Sequence, residues 1–184
     1  MTIENSVLTY IIFIIAAVIS CVKSYKKRKN TVRTIIVFLW AAAIYFVFSC
    51  CILPIQLTPV FSGSMESFKS QFVYTSADYF WKYFLEQLAL FFSFFAFSFF
   101  ACGLFMKQRQ VKYSLLLLLG LMFIHLLYNT VLNTLLGEIV KYINAEDFII
   151  MALGYMAGWA CARGILKLCP EFGNLILEDK SGEN

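Results

Sequence analysis

Apolar residues fall into five blocks, at residues 7–22, 34–53, 88–106, 114–136 and 148–166, separated by shorter polar stretches. A helix needs about 20 mostly apolar residues to cross a ~30 Å hydrocarbon layer at 1.5 Å per residue. All five blocks come close to that length. The first is the shortest, and Lys23 at its end can snorkel to extend its reach. The pattern predicts an all-α, polytopic membrane bundle of about five transmembrane helices. Residues 1–168 read as a single transmembrane domain and residues 169–184 as a short tail.

The positive charges divide along the same blocks. Of fifteen Lys and Arg residues, all but Lys69, Lys82 and Lys141 lie in or beside alternate connections, or near the C-terminus. By the positive-inside rule this predicts an outer N-terminus and a cytoplasmic C-terminus. Residues 1–5 carry Glu4 and no Lys or Arg, and the basic cluster follows the first apolar block. That order suits a retained anchor better than a cleaved leader.

Composition narrows the classes further. With 61% hydrophobic, 18% aromatic and 14% charged residues, water is not the expected main solvent. The run from Lys26 to Lys29 lies between two apolar blocks, where orientation and attraction to anionic lipid account for it, so no nucleic-acid partner is expected. The six cysteines form no C-x-x-C pair and fall mostly within the blocks. They are expected to be small apolar residues, with neither disulfides nor a thiolate metal site.

The longest connection, residues 54–87, has two parts. Pro54, Pro59, Gly63 and several serines mark residues 54–71 as loop. Residues 75–87 pair a charged stripe, Asp78, Lys82 and Glu86, with five aromatics. This segment is expected as a helix that either lies at the outer interface or runs straight into the third span.

Intramembrane polarity concentrates in the fourth block, where His125, Asn129 and Asn133 recur every four residues on one helical face. Polar groups at that depth are costly unless they meet one another, another helix or water, which marks them as site candidates. With Glu86, Lys141 and Asp147 they compose an expected outer-facing cleft for a ligand. In the fifth block, Gly154 and Gly158 form a G-x-x-x-G arrangement that admits another helix, from this chain or from a second copy. The sequence contains no G-x-S-x-G, H-E-x-x-H or phosphate-cradling glycine loop. No catalytic residue, metal or cofactor is therefore assigned. An intramembrane hydrolase would need a hydroxyl from Ser49, Ser93 or Ser98 beside His125.

The order of these features resembles the VanZ-like membrane proteins. Tyr45 and Leu53-Pro54 within residues 43–54 look like that family's Tyr and Leu-Phe-Pro portion. Phe99, Gly103 and Leu104 before Lys107 look like its F-x-P-x-G stretch, with Ala101 in place of Pro. Lys141, Asn144, Asp147, Gly154 and Gly158 fall where it has an Arg, an acidic run and a glycine-bearing helix, with Met151 replacing the usual Asn. The resemblance covers about residues 36–163. His125 and Asn129 stand in the helix where the family carries a Glu and a Gln, and the acidic run is reduced to Glu146 and Asp147.

The resemblance implies a multi-pass protein of the bacterial cytoplasmic membrane that acts in the cell envelope and affects susceptibility to the glycopeptide teicoplanin. Membrane lipid, a lipid-linked envelope precursor or the glycopeptide would then be its partners. An alternative expectation is a substrate-binding membrane subunit of a small-solute transporter, with Ala16-Ala17 in the first span as a coupling surface.

Overall fold

The structure, a computed structural model, describes residues 2–3, 7–51, 55–56, 80–136 and 145–177; residues 2–3, 7–9, 28, 55–56, 80–83, 132–136 and 177 are described as backbone alone. Among the described residues six α-helices follow one another: α1 (Val7–Arg28), α2 (Thr31–Cys51), α3 (Phe80–Leu104), α4 (Val111–Leu136), α5 (Ala145–Leu168) and α6 (Pro170–Leu177). A 3-10 turn, Met106–Arg109, joins α3 to α4. Two-residue strands β1 (Thr2–Ile3) and β2 (Ile55–Gln56) pair antiparallel, so the entry to α1 lies beside the exit from α2.

Among the described residues, four helices are long and apolar enough to cross a membrane: α2, α4, α5 and the part of α3 from Phe84. The protein is thus a helical membrane protein by length and composition. Its surface agrees, since Leu116, Leu119 and Phe123 on α4 are each more than half exposed. In lipid such residues meet a solvent as apolar as themselves. Helix α1, at 22 residues, is one residue longer than α2, but Lys23, Lys26 and Lys27 occupy its last turns.

One continuous helix runs from Phe80 to Leu104. Residues 80–87 therefore enter α3 directly, and no separate interfacial helix stands there. The cause is local, because no Pro and no Gly before Gly103 interrupts this run. Residues 75–79, the start of the expected interfacial helix, lie outside the described residues.

Lipid supplies no hydrophobic drive between helices, so close packing of small residues has to do that work. The α3–α5 seam illustrates it. A Cβ at Gly154 would fall on the Phe91 carbonyl, and one at Gly158 on the Phe95 carbonyl and the Ser98 hydroxyl. The glycine face expected to admit another helix thus receives α3 of the same chain, and a second copy would have to displace α3 to use it. Ser98 Oγ donates to the Tyr155 carbonyl at 2.7 Å across this seam. About a quarter-turn around α3, Leu90, Phe94 and Phe97 pack with Ala43 and Val47 of α2 and with Met151 and Tyr155 of α5 in the core. Phe13 of α1 meets Tyr45 of α2 edge-on at 4.7 Å, joining the first hairpin.

That hairpin turns in two residues. Lys29 adopts φ 47°, the left-handed conformation that ends a helix, and its N–H bonds the Tyr25 carbonyl at 2.7 Å. Asn30 then caps α2, its Oδ1 accepting from the Arg33 N–H at 2.9 Å. The Asn30 amide also donates to the Leu175 carbonyl at 2.6 Å, and Arg33 Nη1 to the Ile176 carbonyl at 3.2 Å. These bonds satisfy the last carbonyls of α6, which a helix end otherwise leaves unpaired. Residues 169–184, expected as a tail, hence carry a helix whose Ile176 is buried against the bundle.

The bundle consequently has two unlike ends. At one lie the strand pair, the start of α5 and the end of α2. At the other lie the α1–α2 turn, the 3-10 turn and α6. We call them the carboxylate end and the basic end.

Candidate functional site

The carboxylate end is assembled from three helices. Asp147 sits in the first turn of α5, where a negative side chain suits the helix dipole. It is 7% exposed, and its Oδ1 accepts a 2.6 Å hydrogen bond from Gln87 Nε2 of α3. The other amide atom, Gln87 Oε1, is buried without a hydrogen-bond partner among the described residues.

His125 and Asn129 lie one turn apart on α4, and each is 1% exposed. Asn129 Nδ2 donates to the His125 carbonyl at 2.8 Å and to the Cys51 carbonyl at 3.0 Å. The second bond reaches the last residue of α2 and supplies a donor to a helix-end carbonyl, tying α4 to α2. His125 Nδ1 is 3.2 Å from the same amide nitrogen, which has only two hydrogens to share among three acceptors. The imidazole meets the Phe148 ring edge-on at 5.7 Å, and Phe148 directly follows Asp147. Phe148 is thus the link between the two polar pairs.

Of the six residues expected to compose the cleft, three are buried here: His125, Asn129 and Asp147. Glu86 is exposed and does not join them. Helical phase is the reason. Leu90, Phe94, Phe97 and Ala101 face inward at spacings of three and four, and that series extends back to 87, leaving 86 about 100° away. Gln87 therefore takes the position expected of Glu86. It could have been found by extending the apolar stripe instead of seeking charge. Asn133 lies on α4 with its side chain outside the described residues, and Lys141 lies outside them altogether.

Two of the three hydroxyls that a hydrolase would need, those of Ser93 and Ser98, are engaged elsewhere. Ser93 Oγ donates to the Ala89 carbonyl at 2.6 Å and lies 3.5 Å from Cys50 Sγ, while Ser98 Oγ is held by backbone carbonyls. Among the described residues, no group of three His, Cys, Asp or Glu side chains is placed to hold a metal ion. The end brings together a carboxylate, an amide oxygen and an imidazole in a setting of low polarity.

The basic end is built differently. Arg109, on the 3-10 turn, directs Nε to the Cys102 carbonyl at 3.4 Å and Nη2 to the Gly103 carbonyl at 3.3 Å, against the negative end of α3. Trp159 Nε1 donates to the Gln108 carbonyl at 2.9 Å, and the Arg163 guanidinium lies over its indole ring at 5.1 Å.

The class defined by these observations is a helical membrane protein with a buried polar group at one end of its bundle. Comparison with family models, curated proteins and solved structures yields no match.

Proposed function

We propose that the chain is a five-span protein of the bacterial cytoplasmic membrane, with α1 as the fifth span, an outer N-terminus and a cytoplasmic C-terminus. The alternation of basic connections supports that orientation. On this reading the carboxylate end faces outward and recognises the headgroup of a lipid or of a lipid-linked envelope precursor. The observation that carries it is the Gln87–Asp147 pair, a buried carboxylate beside a buried amide oxygen that has no hydrogen-bond partner among the described residues. Two acceptors at the membrane edge suit a ligand rich in hydroxyl or ammonium donors, because an unpaired buried acceptor costs ~1–3 kcal/mol until a donor reaches it. The resemblance to VanZ-like proteins adds that the outcome is a change in teicoplanin susceptibility.

The test is a deletion strain complemented with the wild type, Asp147→Ala or Gln87→Ala, with membrane levels of each measured. Deletion is expected to shift growth under teicoplanin and neither variant to restore it. If deletion leaves glycopeptide susceptibility unchanged, the resistance reading fails. If Asp147→Ala complements fully, the site is elsewhere.

A further inference from the structure

The basic end contains a groove of about 480 Å³ between α5 and the 3-10 turn, lined by Arg109, Trp159, Arg163, Gly164 and Lys167 among others. Its lining holds three cations and no acid. What orients the arginines is uncharged: two carbonyls at the end of α3 for Arg109, and the Trp159 ring for Arg163. The two carbonyl bonds use two of the five donors of Arg109. A place over an indole face uses none of the five N–H donors of Arg163. The Trp159 bond to Gln108 fixes the stack against the segment that carries Arg109, so the two guanidiniums are held in one place before any ligand arrives.

Depth identifies the ligand. Arg163 lies five residues before Leu168, the end of α5, about 7.5 Å along the helix. Trp159 is one turn deeper, with its polar N–H satisfied and its ring beside apolar Ala160 and Leu166. Cations above an indole and aliphatic wall match a phosphate joined to acyl chains, at the level where Trp and Arg meet headgroups.

We propose that this groove is a specific site for the phosphate of an anionic phospholipid, with Arg109 and Arg163 on the phosphate oxygens, Lys167 as the outer cation and Trp159 against the glycerol region. The site is independent of the carboxylate end, and neither assignment needs the other.

Gly164 offers a test that leaves every cation in place. A Cβ there meets nothing within 4 Å, so Gly164→Leu fills the groove without displacing protein, and loss of an interior helical glycine favours α5. Full-length protein in neutral detergent would be titrated with phosphatidylglycerol, phosphatidylcholine or inorganic phosphate, and bound lipid counted by native mass spectrometry. Phosphatidylglycerol is expected to bind at least about tenfold more tightly than phosphatidylcholine, given ~1 kcal/mol per basic residue near an anionic surface. Arg163→Gln should weaken it about fivefold and the Arg109→Gln/Arg163→Gln pair about twenty-fivefold, on the same per-cation scale. Gly164→Leu should abolish it without lowering the melting temperature, whereas Lys27→Gln on exposed α1 should have no effect. Equal retention of the two lipids, or wild-type binding by Gly164→Leu, overturns the proposal. Displacement of the lipid by millimolar inorganic phosphate would make this a soluble-phosphate site and overturns the lipid assignment.

Discussion

The two ends of the bundle handle polarity in opposite ways. At the carboxylate end, Gln87, His125, Asn129 and Asp147 are drawn between helices; their hydrogen bonds join α3 to α5 and α4 to α2, and the His125–Phe148 ring contact joins the two pairs. At the basic end, Arg109, Arg163 and Lys167 line an open groove, with carbonyls and an indole as neighbours. A polar group sealed in a low-dielectric seam is tied to stability, because removing its partner leaves an unpaired neighbour. A cation at the rim is free to serve recognition, because water and headgroups solvate it either way.

Substitutions can break that contrast. The largest effect is expected at the seam that both ends share: Gly158→Leu drives a side chain into the Phe95 backbone and should destabilise the bundle by about 3 kcal/mol, the upper range for overpacking. Loss of a monodisperse peak and a fall in melting temperature would report it. Next comes Asn129→Leu, which strips donors from the Cys51 and His125 carbonyls and should cost about 1–2 kcal/mol in reversible unfolding. A neutral result there would show that the carboxylate end is not a structural seam.

Asn30→Ala removes a helix cap and the bond to Leu175, and about 1 kcal/mol is expected, which would show that the basic end also has a structural part. Lys29→Gly should act in the other direction, raising stability by about 0.5 kcal/mol as the left-handed strain is relieved, offset by the freer unfolded chain. Smallest of all, Arg163→Gln should move the melting transition by less than the equivalent of ~0.5 kcal/mol, as for other surface changes. If it unfolds the protein instead, the contrast between the ends is lost.

Much of the helical frame was legible as blocks of apolar residues, since α2 to α5 each begin and end within several residues of a block. The G-x-x-x-G face was legible as a packing face, though only the structure identifies α3 as what it receives. Glu86 and Gln87 show why the site was less legible. An ionisable residue attracts attention by its chemistry, whereas the inward register of α3 is set by packing against two other helices. The His125–Asn129 pair was legible by its spacing, but its acceptor, a carbonyl on Cys51, has no sequence signature. The helix α6 went unread because eight residues are too few for periodicity to separate from a loop, although Pro170 at its first position was a start signal.

The bond between Asn30 and Leu175 joins residues 145 apart in the chain. Asn30 is made with the α1–α2 hairpin, yet its amide gains this acceptor only when α6 has been made and has folded back. A turn made early in this chain is therefore completed by a helix made late. During biogenesis the α1–α2 hairpin waits, partly satisfied, for α6, and a chain lacking α6 would carry its defect at Asn30, 145 residues from Leu175.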